Sequence, residues 1–156
     1  MQRRFLIGTA LAGAAVTMSG LAPKAAQAFE VERSEKEWRA RLTKLQYKVM
    51  REEGTERSGS SPLDKNYKAG TYLCRGCDLP LYSSKTKFDS GTGWPSFWKA
   101  LPNAIETKLD RSLFSTRTEC HCRRCGSHLG HIFDDGPKPT GKRHCLNGVS
   151  LKFQAA

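Results

Sequence analysis

The sequence predicts a small, mainly β domain built of antiparallel sheet, with a helix at its edge and a structural zinc site. From Gly70 onward, short apolar or β-branched runs are broken by turn residues about every 8–12 positions, which is typical of antiparallel strands. Before Gly70, an apolar stripe at helical spacing predicts a helix. Two C-x-x-C pairs supply four thiolates, the ligand set of a structural zinc ion.

Residues 1–28 have the features of an export signal. A pair of arginines precedes an uncharged apolar run over 5–22, and Ala26-Gln27-Ala28 fits a signal-peptidase site. The arginine pair ahead of Phe-Leu favours the twin-arginine route, although the usual spacer residue between them is missing. The alternative is an uncleaved membrane anchor, for which the run is marginal in length. We expect a mature domain of residues 29–156 in the bacterial periplasm.

The charge of the mature chain indicates a solvated basic surface. Loss of residues 1–28 removes Arg3, Arg4 and Lys24 and no acidic residue, so the formal charge falls from +11 to +8. The excess is spread along the chain without a dense basic run, so we expect no nucleic-acid partner. We expect a monomer that meets the membrane only during export. An oxidising compartment favours disulfides, and loading zinc before export would keep these thiols for the metal.

The first element of the mature domain is a predicted helix of about five turns. Ser34 and Glu37 form a capping box, and the helix should run to Gly54. Its apolar stripe is expected to contact the core and consists of Trp38, Leu42, Leu45 and Val49. Residues 55–69 are polar and rich in turn formers, which predicts a loop over the surface.

The two C-x-x-C pairs lie in similar surroundings. They are Cys74-Arg-Gly-Cys77 and Cys122-Arg-Arg-Cys125, and the pattern C-R-x-C-x-x-x-L fits both 74–81 and 122–129. One pair alone could be a redox motif or a disulfide, whereas two matching pairs favour a shared zinc ion. Such an ion would supply folding free energy that a small β-rich domain lacks.

The segment Gly91–Trp98 predicts a loop that presents an indole at the surface. Small residues precede Trp94, and Pro95 stiffens the turn. The simpler interpretation is that its aromatic residues cap the core, and we prefer it for Phe97 and Trp98.

The strand predicted between Phe114 and Cys122 places Cys120 in the interior. Even positions are Phe, Thr, Thr, Cys and Cys, so Cys120 shares a face with Cys122.

Cys145 is a candidate nucleophile, because it has no C-x-x-C partner and follows cationic residues that favour the thiolate. A strand is predicted over 143–153 with its odd positions buried. Arg143, Cys145 and Asn147 would then share one face, continuous with the core residues Val149, Leu151 and Phe153.

His128 and His131 follow the second cysteine pair at a spacing of three. Four thiolates already complete a tetrahedral site, so we interpret both histidines as hydrogen-bond donors or acids near Cys145. The alternative is a pair of structural, hydrogen-bonded histidines.

Three motifs together resemble the B-type methionine sulfoxide reductases, which act on the R epimer of methionine sulfoxide in proteins. They are GTGWPSF at 91–97, SHLGHIFDDGPKPTGKRHCLN at 127–147 and the paired C-x-x-C motifs. The resemblance extends from about Glu37 to Phe153. It implies two antiparallel sheets with a few peripheral helices and a zinc ion distant from the reaction.

The resemblance also implies roles for individual residues. Cys145 would attack the sulfoxide sulfur and end as a sulfenic acid. Trp94 would form part of the pocket for the substrate methyl group. The residues that would orient the sulfoxide and water, or protonate the oxygen, are His128, His131, Arg143 and Asn147.

Regeneration of Cys145 departs from the family pattern. Many relatives carry a resolving cysteine where this chain has Thr92, which cannot form a disulfide. Cys120 is the thiol left over and is a hypothetical resolving cysteine; otherwise it is a small buried core residue. Without it, a thioredoxin-like protein or a small thiol must reduce the sulfenic acid directly. Lesser departures are His144 for the usual Tyr and Gly148 for the usual Ser.

Two other functions compete with repair of oxidised proteins. One is a non-catalytic zinc-ribbon module that binds nucleic acid or protein through its basic surface. The other is a secreted domain stapled by disulfides, without metal or free thiols.

Overall fold

The antiparallel strands predicted from Gly70 onward form two sheets. The computed structural model describes residues 28–111 and 115–156, so the export signal up to residue 27 and Phe114 lie outside the described residues. Within these ranges the strands are β1 (Gly70–Cys74), β2 (Pro80–Ser83), β3 (Lys87–Phe88), β4 (Ser96–Phe97), β5 (Ile105–Asp110), β6 (Arg117–Cys122), β7 (His128–Phe133), β8 (Arg143–Leu146) and β9 (Leu151–Ala155). The predicted fold class, mainly β with two antiparallel sheets, is confirmed.

The smaller sheet has the strand order β2-β1-β9, and the larger has the order β3-β4-β8-β7-β6-β5. In the larger sheet, β8 lies between β4 and β7, so Cys145 is flanked by Ser96 on one side and His131 on the other. A tight cluster of aromatic rings joins the sheets, with the Tyr72 and Phe97 rings 4.9 Å apart and the Tyr82 and Phe97 rings 4.6 Å apart.

The single helix predicted over 34–54 is wrong, because the chain forms two helices, α1 (Glu35–Arg41) and α2 (Lys44–Arg51). Leu42 adopts an extended backbone, and the Thr43 side chain accepts a hydrogen bond from the Gln46 amide. This second capping box starts a new helix in a new direction. Leu45 is consequently 46% exposed and does not reach the core.

The continuous strand predicted over 143–153 is also wrong. β8 ends at Leu146, a short 3-10 turn spans Gly148–Ser150, and β9 continues in the other sheet. In β8 the even residues are the buried ones, and Val149 is only partly buried. The turn therefore carries the chain from one sheet to the other directly after Cys145.

Arg75, which lies between Cys74 and Cys77, stabilises the turn that carries the chain from one sheet to the other. Its amide donates to the Ser150 carbonyl at 2.9 Å, and its guanidinium donates to the carbonyls of Val149 and Leu151, both at 2.7 Å.

Cys120 is fully buried, as predicted, but the odd positions of its strand are buried as well. Glu119 is only 2% exposed, because β6 is covered on both faces. Among the described residues, none of the helices has the length and apolar character needed to cross a membrane.

Candidate active site

The four cysteines of the C-x-x-C pairs converge on one point. Their sulfur atoms all lie within 4.8 Å of one another, with Cys74 and Cys125 3.6 Å apart and Cys77 and Cys122 3.5 Å apart. Thiolates about 2.3 Å from a tetrahedral zinc ion lie roughly 3.8 Å apart, so this cluster fits such an ion. None of the four lines the cavity at Cys145 described next.

Cys145 lines a cavity of about 140 Å³ at the surface of the larger sheet. Its lining includes Trp94, His131 and Phe133, and the other lining residues are Thr55, Arg117, Gly130, Leu146 and Asn147. Two of the predicted substrate-facing groups, the Trp94 indole and the His131 imidazole, are thus brought to the candidate nucleophile.

A chain of hydroxyl groups lies beside the Cys145 thiol. Thr92 Oγ1 is 4.0 Å from Cys145 Sγ, and Ser90 connects Thr92 to Ser96 at 2.8 and 2.7 Å. Burial raises the pKa of the Cys145 thiol, and the charge of Arg143 and the hydrogen bonds with Thr92 and Ser96 offset this only in part. The free protein therefore holds Cys145 as a thiol at neutral pH.

His131 is held by a carboxylate that the sequence did not single out. Its Nε2 donates to Asp110 Oδ2 at 2.8 Å, and the same oxygen accepts from Arg117 at 2.7 Å. Burial lowers the pKa of His131, and the hydrogen bond to Asp110 partly offsets this effect. The carboxylate also stabilises the imidazolium when His131 is protonated.

His128 lies behind His131 and outside the Cys145 cavity. Its Nδ1 is 2.6 Å from Glu119 Oε1, and the His128 and His131 ring centroids are 5.4 Å apart. Glu119 also bonds His121 Nδ1 at 2.9 Å. Burial alone would raise the pKa of Glu119, but the two imidazole hydrogen bonds outweigh it and lower the pKa to about 2. His128 therefore packs against the His131 ring and lies outside the lining of the Cys145 cavity.

Arg143 makes a two-pronged ion pair with Asp135, with both N···O distances 2.8 Å. Its guanidinium also lies 4.4 Å from the centre of the Phe133 ring, which lines the cavity. Arg143 thus supplies positive charge near Cys145 from a fixed position.

Asn147 and Trp94 meet at Glu56, in the segment predicted to be a surface loop. Asn147 Oδ1 accepts from the Glu56 amide at 2.9 Å, and Trp94 Nε1 donates to the Glu56 carbonyl at 3.2 Å. Asn147 also donates to the Leu129 carbonyl at 3.1 Å. No sequence motif had pointed to any of the four acids in these contacts, which are Asp135, Glu119, Glu56 and Asp110.

The structure does not bring Cys120 and Cys145 together. Cys120 pairs with Gly130 across β6 and β7, and Gly130 pairs with Leu146 on β8. Because side chains alternate along a strand, Cys120 lies on the Leu146 face of the sheet and Cys145 on the opposite face. A disulfide needs Cα atoms about 4.4–6.8 Å apart, so two intervening strand spacings of about 4.8 Å also argue against it.

His144, one of the departures from the family pattern, faces away from Cys145. It alternates with Cys145 on β8 and lies 2.9 Å from the Tyr82 hydroxyl in the core. Burial, together with the charge of Lys142, lowers the pKa of His144 to about 4.

A half-buried thiol on an interior strand of the larger sheet, faced by a carboxylate-bound imidazole and an indole, defines a thiol-dependent enzyme of mainly β fold. The SelR domain model matches residues 42–155. A peptide methionine sulfoxide reductase MsrB of Methanosarcina barkeri is 54% identical over 80% of this chain and 88% of its own length. One of Leptospira interrogans is 47% identical over 81% of this chain and 97% of its own length. The chloroplastic reductase B1 of Arabidopsis thaliana is 52% identical over 78% of this chain, which spans 61% of that protein. The chain belongs to the B-type methionine sulfoxide reductase family.

Proposed function

We propose that this protein reduces methionine (R)-sulfoxide in oxidised proteins to methionine, with Cys145 as the nucleophile. The observation that carries this proposal is the cavity in which Cys145 faces His131 and Trp94. An indole beside the thiol offers an apolar surface for the substrate methyl group. The imidazole lies on the neighbouring strand, where the sulfoxide oxygen of a bound substrate would project.

The reaction follows from the balance of protons and electrons. The Cys145 thiolate forms a bond to the sulfoxide sulfur, and two protons convert the sulfoxide oxygen to water as the S–O bond breaks. Water then attacks Cys145 Sγ, so that methionine leaves, one proton is released and Cys145 becomes a sulfenic acid. His131 donates to the oxygen; the Asp110 carboxylate stabilises its protonated form, and the His128 ring packs against it. Asn147 and the Arg143 charge orient the polar end of the substrate.

An external thiol returns Cys145 to its reduced form. Two thiols of a thioredoxin-like protein or of a small reductant convert the sulfenic acid to a thiol, giving water and a disulfide of the reductant. This route is supported by Thr92 at the position of the usual resolving cysteine and by the placement of Cys120 on the other face of the sheet.

The metal at Cys74, Cys77, Cys122 and Cys125 is proposed to be structural zinc. Four thiolates satisfy its coordination, so no position is open for a substrate, and the ion joins β1 to the turn after β6. Its contribution is folding free energy.

The protein is further proposed to act as a monomer after export through the twin-arginine route, with cleavage before Phe29. Export of a folded, metal-loaded chain would protect the thiols from oxidation. Amino-terminal sequencing of protein recovered from the periplasm tests this, and a product that retains residues 1–28 would contradict it.

The decisive experiment compares the mature chain with Cys145→Ser on peptides that carry methionine (R)- or (S)-sulfoxide. We expect reduction of the R epimer only, and loss of at least 10³-fold in rate for Cys145→Ser with unchanged metal content. Equal activity of the variant would overturn the proposal. In the alternative, a zinc-ribbon binding module, the substitution should leave binding unchanged. No contact in the described site favours this alternative.

A further inference from the structure

Glu56 is a buried carboxylate that the reaction described above does not use. It is 2% exposed and lies in the segment between α2 and β1, remote in sequence from Trp94, Cys145 and Asn147. Burial raises its pKa, hydrogen bonds from two backbone amides act in the opposite direction, and among the described residues no cation is paired with it. Burying such a charge costs free energy unless its hydrogen bonds are all made.

The side chain of Glu56 forms hydrogen bonds with the turn that follows Cys145. Oε1 accepts from the Gly148 amide at 2.6 Å, and Oε2 accepts from the Val149 amide at 3.0 Å. Each carboxylate oxygen thus accepts from one of the two adjacent amides. A glutamine in the same geometry would offer one oxygen and turn its NH₂ group toward the second amide, which leaves that donor without an acceptor.

The main chain of Glu56 forms hydrogen bonds with both side chains that flank Cys145 in the cavity. Its amide donates to Asn147 Oδ1, and its carbonyl accepts from Trp94 Nε1. One residue therefore contacts the indole, the amide side chain and the turn, which belong to three separate parts of the sequence.

Gly148 makes this close approach possible. A Cβ atom built there would lie 1.9 Å from Ser61 Oγ and 3.3 Å from Glu56 Oε1. The loop that carries Glu56 thus packs directly against the backbone of Gly148. A serine, the usual residue of the family at this position, would not fit there.

We propose that Glu56 is a positioning residue, whose carboxylate anchors the loop at Gly148 and Val149 so that its main chain fixes Trp94 and Asn147 on either side of Cys145. The inference rests on the proposed function, because its kinetic test measures sulfoxide reduction. Misplacement of binding groups by about 1 Å can reduce a rate by about 10²-fold.

The first test compares Glu56→Gln with Glu52→Gln, which removes an exposed carboxylate from the same segment. The probe is a peptide containing methionine (R)-sulfoxide, with saturating dithiol. We expect Glu56→Gln to lower kcat/KM roughly 10- to 100-fold, mainly through kcat, and Glu52→Gln to match the wild type. In an Asn147→Ala background, Glu56→Gln should cost much less, because the two residues act together. Full kcat/KM in a folded Glu56→Gln protein, or a purely lowered melting temperature, would overturn the proposal.

The second test does not depend on activity. In ¹⁵N-labelled protein, the Trp94 indole resonance, assigned with Trp94→Phe, should shift in Glu56→Gln while those of Trp38 and Trp98 stay in place. An unmoved Trp94 resonance would overturn the positioning role even if the wild type proved inactive on sulfoxides. Should Glu56→Gln not fold, Glu56→Asp keeps the charge but withdraws it by one methylene, and the same shift and rate loss are expected.

Discussion

At the scale of single residues, the site separates into groups that sequence patterns reveal and groups that only the fold reveals. Cys145, His131 and Trp94 lie in recognisable motifs and meet in one cavity. Asp110 and Glu56 meet their partners across 21 and 91 residues of sequence, so no local spacing could connect them. His128 packs against His131, with ring centroids 5.4 Å apart, and does not line the Cys145 cavity.

The opposed pKa shifts of His131 and Cys145 predict the pH dependence of kcat/KM. Reaction needs protonated His131, whose pKa is lowered from 6.5, and the Cys145 thiolate, whose pKa is raised from 9.0. The rate should rise with pH up to the His131 pKa, stay level, and fall above the Cys145 pKa. In His131→Asn, kcat/KM should be roughly 10²-fold lower, and its pH profile should lose the level region. The value should instead keep rising with pH toward the Cys145 pKa. A level region that survives in this variant would remove His131 as the acid.

Thr92 is placed where a thiol could restore intramolecular recycling. Its Oγ1 is 4.0 Å from Cys145 Sγ, and it stands between two glycines with positive φ. We expect Thr92→Cys, after one equivalent of substrate and without reductant, to form a disulfide between the introduced thiol and Cys145, detected by mass spectrometry. Wild type and Cys120→Ser should both stop at the sulfenic acid. A Cys120–Cys145 disulfide in the wild type would contradict the opposite-face placement.

At the scale of elements, sequence periodicity placed strands over the segments that contain β6, β8 and β9 but failed where the chain changes direction. The apolar stripe that predicted one helix runs across Thr43, where a second capping box competes successfully with helix continuation. Between β8 and β9, the alternation of apolar residues continues by coincidence while the backbone crosses between sheets. At Thr43 a local capping hydrogen bond decides the geometry, whereas the crossing between β8 and β9 is held by hydrogen bonds from the distant Arg75. Hydrophobic spacing records neither interaction.

Gly130 allows β7 and β8 to approach closely at the nucleophile. A Cβ atom at this position would lie 2.0 Å from the Cys145 carbonyl oxygen. We expect Gly130→Ala to displace Cys145, lowering kcat/KM at least about 10-fold and stability by about 1–3 kcal/mol. These are measured by steady-state kinetics and thermal unfolding.

Gly141→Ala is the matched control, because its Cβ would enter open space although its φ of 69° makes alanine strained. It should cost about 1 kcal/mol of stability and leave kcat/KM unchanged. Equal kinetic losses in the two variants would show that general destabilisation, and not displacement of Cys145, is responsible.

At the scale of the whole molecule, the resemblance predicted two antiparallel sheets correctly, whereas residue patterns alone predicted only antiparallel strands. Their assignment to sheets depends on contacts between distant strands, such as β1 with β9. The four-cysteine cluster was accessible from sequence because its ligand spacing is itself local.

Removal of the metal should destabilise the entire domain. Cys77→Ser leaves three thiolates, so we expect bound zinc to fall from about one ion per chain and the melting temperature to drop sharply. Zinc is measured by atomic emission and unfolding by calorimetry. Cys120→Ser, which removes a buried thiol outside the cluster, should retain its zinc. Normal stability of zinc-free Cys77→Ser would assign the cluster a role other than structural.

Arg75 gives the metal-binding loop a direct hold on the turn behind the nucleophile, through three carbonyl groups of residues 149–151. Loss of a zinc ion from the proposed site should therefore loosen the support of the reactive sulfur. In a sample of the protein, sulfoxide-reducing activity should then be proportional to the fraction of chains that hold zinc. A zinc assay would therefore also measure the fraction of active enzyme.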